Sequence, residues 1–108
     1  MDIEYNVTIK SDGSQEWRYN GQLHREDGPA LTTKSGDEIS YYRKGKLHRP
    51  YKDGPAKLGK GGWEYYQNGI LHNPDGYAVF KYNGPKEYWI DGKLLTKEEF
   101  YAIPPVLA

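Results

Sequence analysis

"NGQLHREDGPA", residues 20–30, returns as "KGKLHRPYKDGPA" at 44–56 and as "NGILHNPDGYA" at 68–78. A turn-forming pair, a leucine, a histidine and then Asp-Gly are written three times at near-constant spacing. The turn glycines Gly21, Gly45, Gly69 and Gly92 lie 24, 24 and 23 residues apart, and His24, His48 and His72 lie 24 apart. An aromatic stands four positions before each glycine: Trp17, Tyr41, Tyr65 and Tyr88. Two positions after it stand Leu23, Leu47, Leu71 and Leu94. The fourth unit has Leu95 where the others have histidine. Self-similarity at this period marks a small supersecondary unit used repeatedly.

Each unit reads as strand, turn, strand. Residues 3–9, "IEYNVTI", alternate apolar and polar with period two, which predicts a half-buried strand. The turn signals "SDGS", "SGD", "KGG" and "NGP" separate further short runs, and Gly and Asn supply the positive φ that tight hairpins need. The expected fold is all-β, an antiparallel meander of about four hairpins and roughly eight strands. Residues 1–108 form one repeat domain, divided roughly at 1–24, 25–48, 49–72 and 73–95. "LTKEEFYA" then offers Thr96 as N-cap with Glu99 three residues on, predicting a short helix over 97–102 stopped by Pro104 and Pro105. That helix is expected to cap an exposed edge or face, and the apolar tail after it to be packed, with a second copy as one place for it.

Composition narrows the function. Fifteen Lys+Arg balance fifteen Asp+Glu. General nucleic-acid binding, which depends on excess positive charge, is not expected. There is no cysteine, hence no disulfide framework and no thiolate metal site. No run is long enough to span a bilayer and no secretory leader is read, so a cytoplasmic location without membrane association is expected. Eleven Tyr and three Trp against two Phe and one Met predict half-buried surfaces rather than one thick apolar core.

The "LHR…DGPA" segment links successive hairpins and admits three readings. In the structural one, Asp27, Asp53 and Asp75 accept hydrogen bonds from nearby amides or from the preceding His and Arg, stapling each linker. In the functional one, His24, Arg25, His48, Arg49 and His72 line one edge as a ladder for an anionic ligand such as a nucleotide. Asn73 and Pro74 interrupt that basic strip in the third unit. A zinc site shared by the three histidines fits poorly. Two-strand units repeat at ~10 Å and a zinc–nitrogen bond is ~2.1 Å. No metal or cofactor is therefore expected.

Neighbouring strand positions face opposite ways, so Trp17, Tyr41, Tyr65 and Tyr88 form one row. Tyr42, Tyr66 and Trp89 form another, with Arg18 in the first unit. One row is expected to be core, under the helix and tail, and the other is either cross-strand packing with wet hydroxyls or a binding or dimer surface.

The segments "EWRYNGQLHREDGPA", "YYRKGKLHRPYKDGPA", "YYQNGILHNPDGYA" and "EYWIDGKLLTKEEF" resemble a repeat of small phage and bacterial proteins, akin in style to MORN-like hairpin repeats. The resemblance covers residues 16–100. It implies a hairpin array in a phage or mobile-element setting, with the host cytoplasm as location, and it brings no catalytic residue. The Gly-x-Gly of typical MORN units is missing here, so lipid binding is not implied. No nucleophile elbow, P-loop, His-Glu-x-x-His or dinucleotide fingerprint occurs. The expected function is a non-catalytic binding module, by analogy one that counters host defence, acting on a host protein or a small ligand. Sequestration of a nucleotide signal, structural assembly with homo-oligomers, and metal-free hydrolysis by a His–Asp pair are the alternatives.

Overall fold

The computed structural model describes residues 3–104. The chain is an antiparallel meander of short strands ending in one short helix. The main sheet runs, neighbour to neighbour, through Asn6–Ile9, Gln15–Tyr19, Leu31–Thr32, Ile39–Ser40, Lys57–Gly59, Gly62–Glu64, Val79–Lys81, Lys86–Ile90 and Lys93–Leu95. Gln22–Leu23 returns beside Gln15–Tyr19. Tyr42–Arg43 with Lys46–Leu47, and Tyr66–Gln67 with Ile70–Leu71, form separate two-stranded ribbons.

Fourteen segments replace the roughly eight expected strands because the long strands change partner midway. The change falls on the first aromatic row. Tyr41 donates its N–H to Ala56 O in the sheet and accepts at its carbonyl the N–H of His48 in the ribbon. Trp17 does the same with Ala30 and His24, and Tyr65 with Ala78 and His72. Each strand therefore serves the sheet with one half and its own hairpin with the other.

All four hairpin tips share one turn. Asn20, Lys44, Asn68 and Asp91 have φ of 52°, 50°, 50° and 49°, and each is followed by a glycine at 77–80°. Two consecutive positive φ values define the type I′ turn, whose twist matches that of antiparallel strands.

The molecule is a slab, 46 × 36 × 18 Å. Its buried apolar residues are Ala30, Ala56, Ala78, Val79 and Tyr88, and no large side chain is fully enclosed. The three alanines, all 0 % exposed, close the three linkers. Stability thus comes from ladder hydrogen bonds and half-buried rings, as the tyrosine-rich composition implies.

Two boundaries differ from expectation. The first strand is Asn6–Ile9 rather than 3–9, and all four of its residues are exposed. It is an edge with one neighbour, so alternation there buries nothing. The helix is Lys97–Tyr101, with the Thr96–Glu99 capping box formed. It covers the fourth unit: Phe100 stacks on Tyr88 at 4.3 Å between ring centroids. The tail's packing, for residues 105–108, lies outside the described residues. Among the described residues no helix is long and apolar enough to cross a membrane.

Candidate functional site

The repeated segment is first a stacking device. His24 Nδ1 accepts the backbone N–H of Lys44, His48 Nδ1 that of Asn68, and His72 Nδ1 that of Asp91, at 2.9, 2.9 and 3.0 Å. In each case the histidine of one unit holds the first turn residue of the next. Alongside, Gly45, Gly69 and Gly92 donate to Leu23 O, Leu47 O and Leu71 O. The linker staple is thus not a His–Asp pair. The imidazole acts across units, because its neutral ring offers the one acceptor within reach of that turn amide.

An acceptor Nδ1 puts the ring proton on Nε2. Burial, helped by the Arg43 cation, holds the His48 pKa below its ordinary value and favours this neutral form. In unit three the Asp91 carboxylate also stands 3.3 Å from His72 Nδ1, an ion pair that forms only on protonation. The backbone bond repeats the geometry of the other two units and describes the neutral state.

Arg25 and Arg49 fold back over their own units. The Arg25 guanidinium carbon lies 3.6 Å from the Trp17 ring centroid, and that of Arg49 lies 4.1 Å from Tyr41. Each also donates to the carbonyl before the linker alanine, Pro29 O at 3.3 Å and Pro55 O at 3.2 Å. This explains the glycine of Asp-Gly-Pro. A Cβ at Gly28 would stand 2.9 Å from Arg25 Cζ, and one at Gly54 would stand 2.9 Å from Arg49 Nη1. Asp27 accepts from Arg25 Nε at 2.9 Å. The carboxylates of Asp53 and Asp75 make no hydrogen bond among the described residues, so only the first unit builds its staple with an aspartate.

Unit three departs from this scheme. Asn73, buried, donates to Tyr77 O at 2.9 Å and accepts the N–H of Asp75 at 3.0 Å. It ties its own linker and brings no cation to the ring of Tyr65.

The second aromatic row is half-buried and tied to its own strands. Tyr66 donates its hydroxyl to Glu64 at 3.0 Å, and burial with this carboxylate raises the phenol to about 12. Trp89 Nε1 donates to Glu87 at 3.0 Å, and Arg18 to Glu16 at 3.2 Å. Tyr42 is half-buried as well. These rings are braced within the sheet, and the cleft that holds His48 is lined by Tyr41 of the first row and not by Tyr42, Tyr66 or Trp89.

Two open clefts lie between successive linkers. The first, ≈ 580 Å³, brings Arg25, Arg43, His48, Arg49 and Lys52 together with Glu26, Asp27 and Asp53. The second, ≈ 410 Å³, is walled by the rings of Tyr51, Trp63, Tyr65 and Tyr77, with Lys52, Asp53, Asn73 and Asp75 around them. Tyr51 arrives there on the 3-10 turn Tyr51–Asp53, created by the two extra residues of the second linker, and meets His72 edge-on. A cleft of ≈ 540 Å³ at the far turns holds Lys57, Lys60 and Lys81, of which Lys60 pairs with Asp37 and Lys81 with Glu64. The structure thus joins His48, Arg25 and Arg49 in one cleft and leaves His24 and His72 out of it. Arg43, Lys52, Tyr51, Trp63 and Tyr77 line clefts unforeseen from the repeat, because they stand at positions where the units differ. Among the described residues no group of three His, Asp or Glu could hold a metal ion.

Comparison of the chain with protein families, with curated proteins and with solved structures gave no match.

Proposed function

We propose that the chain is a non-catalytic binding module that engages a protein partner through its linker face. The observation that carries this reading is the use of the histidines and arginines: Nδ1 of each imidazole holds the next turn, and both guanidinium groups lie on their own aromatic rings. What the linkers present is a pair of open clefts of mixed charge, the second of them lined by four aromatic residues. Rigid aromatic pockets with polar rims suit protein recognition. The resemblance to phage repeats makes a host protein the natural partner. Tagged protein carrying Tyr51→Ser with Lys52→Glu should lose a host partner that the native chain and a Ser35→Glu control, on the far turns, both recover. Equal recovery by all three would refute the reading.

One observation favours a second reading, sequestration of an anionic small molecule such as a nucleotide in the first cleft. Arg43, Lys52 and His48 line it beside Arg25 and Arg49. Calorimetry against cyclic nucleotides and ADP-ribose derivatives tests it. Absence of both heat and thermal shift across the panel removes it, and unaltered ligand recovered after denaturation separates sequestration from hydrolysis.

A further inference from the structure

The four rings of the first aromatic row have different covers. The Arg25 guanidinium lies over Trp17, the Arg49 guanidinium over Tyr41, and the Phe100 ring over Tyr88. Tyr65 has neither a ring nor a cation over it among the described residues, although it occupies the same position in the third unit.

Part of the surroundings that receive a guanidinium elsewhere is kept, while the carbonyl before the linker alanine, Tyr77 O, already accepts from Asn73 Nδ2 and leaves the aspartate and the ring faces as the free partners. Asp75 stands where Asp27 takes Arg25 Nε, and its carboxylate is exposed and unbonded among the described residues. Gly76 stands where Gly28 and Gly54 leave room for the arginines. A Cβ there would meet nothing within 4 Å, against 2.9 Å at the other two. The side chain that changes is Asn73, which carries no cation and donates to Tyr77 O. Around this open place stand three further rings, Tyr51, Trp63 and Tyr77, and a second carboxylate, Asp53, with Lys52 as the one cation.

We infer that the third unit's cleft binds a guanidinium group supplied from outside, the side chain of an arginine in a partner protein. The chain itself shows the binding mode twice, with the planar cation on the ring face and an aspartate or carbonyl accepting its N–H groups. Cation–π attraction and charge-assisted hydrogen bonds act together there, and a flat, always-charged guanidinium serves both better than an ammonium. This inference rests on the reading of the linker face as a binding surface and names what one of its clefts recognises.

The test is a chemical-shift titration of the full chain with N-acetyl-arginine methylamide, its neutral citrulline isostere, and the trimethyl-lysine equivalent. The arginine probe should give saturable shifts centred on Tyr65, Asp75 and Gly76, with the citrulline probe at least about tenfold weaker. Asn73→Arg should fill the cleft with the chain's own guanidinium and abolish those shifts; the two hydrogen bonds of Asn73 are lost with it, and native amide shifts outside the cleft show that the fold is kept. Asp75→Asn, at an exposed position that leaves the fold alone, should weaken the arginine probe several-fold. Equal shifts from citrulline, tighter binding of trimethyl-lysine, or undiminished binding by Asn73→Arg would each overturn the inference. The two proposals fail separately. A partner recovered equally by the native chain and by Asn73→Arg keeps the binding module and removes the arginine site. Saturable probe binding with no partner dependent on Tyr51 and Lys52 does the reverse.

Discussion

Replacing His24 with leucine tests the stacking of the array, because the chain itself uses leucine at that place in its final unit. His24 is 7 % exposed, and its Nδ1 accepts the amide of Lys44 across the unit boundary. Leucine keeps most of the packing volume and removes the acceptor. A hydrogen bond of this kind contributes about 0.5–1.5 kcal/mol, and a donor left without a partner in a buried site costs about 1–3 kcal/mol. Lys44 sits on an exposed turn where water can replace part of the bond. A destabilisation of about 1.5 kcal/mol follows, and at roughly 4–8 °C per kcal/mol the thermal midpoint falls by about 6–12 °C. The reciprocal change, Leu95→His, should gain nothing, since no further turn follows to donate an amide. Urea titrations followed by the fluorescence of Trp17, Trp63 and Trp89 measure both. A His24→Leu midpoint equal to native, or a Leu95→His gain of similar size, would refute the claim that the imidazole is an inter-unit staple.

Acid should loosen the array in the range set by histidine. His48 has its folded pKa depressed by burial and by Arg43, so its neutral-state contribution is complete above the unfolded value near 6.5 and is lost as pH falls through the lower folded value. Urea midpoints should therefore decline on acidification below about pH 6.5, with a shallower decline in His48→Leu; an identical slope would contradict the assignment. Gly54→Ala, with φ at +128° and Arg49 Nη1 at 2.9 Å from the new Cβ, should destabilise by about 1–3 kcal/mol, whereas Gly76→Ala should be neutral or stabilise by up to ~1 kcal/mol, both read by denaturation. Lys44→Asn should raise the stability by about 0.5 kcal/mol, read as a higher urea midpoint, since Lys44 is the one long side chain at the left-handed first turn position and asparagine tolerates that conformation better. Thr96→Ala should remove the capping box and about 1 kcal/mol, seen as lost order around Phe100 and Tyr88 by aromatic NMR shifts.

The period, the turn chemistry, the helix with its cap and the thin tyrosine-rich build are legible in the residues, because each depends on short-range rules. Asn-Gly and Asp-Gly fix the hairpin tips, and Thr96 with Glu99 fixes the helix start. What His24, His48 and His72 do is not legible in the same way. His24 and His72 stand three residues before Asp27 and Asp75, and His48 five before Asp53, and sequence distance favours a bond within the unit. The bond that forms spans 19 or 20 residues, to a turn amide whose position depends on the stacking register. The loss of histidine in the fourth unit was the available signal. A residue that serves the next unit has no use in the last one, whereas a staple for its own linker is also idle there, as no linker follows Leu95. The two explanations coincide in sequence and separate only in three dimensions.

The same reasoning gives the third unit its meaning. In units one and two, the arginine, the ring beneath it and the glycine beside it form one interlocked set, so relaxing any member should relax the others. Unit three drops the arginine yet keeps Tyr65, Asp75 and Gly76. A glycine with open space around it contributes nothing to packing and lowers stability through the freedom of the unfolded chain. An aspartate without a partner contributes no bond. The glycine is unfavourable for folding alone, and the proposed outside cation accounts for it; the aspartate, unbonded in unit two as well, adds a charge that such a cation can use. The departure from the repeat, rather than the repeat itself, is therefore where binding chemistry is to be sought, and Asn73→Arg is the substitution that turns the third unit back into a copy of the first two.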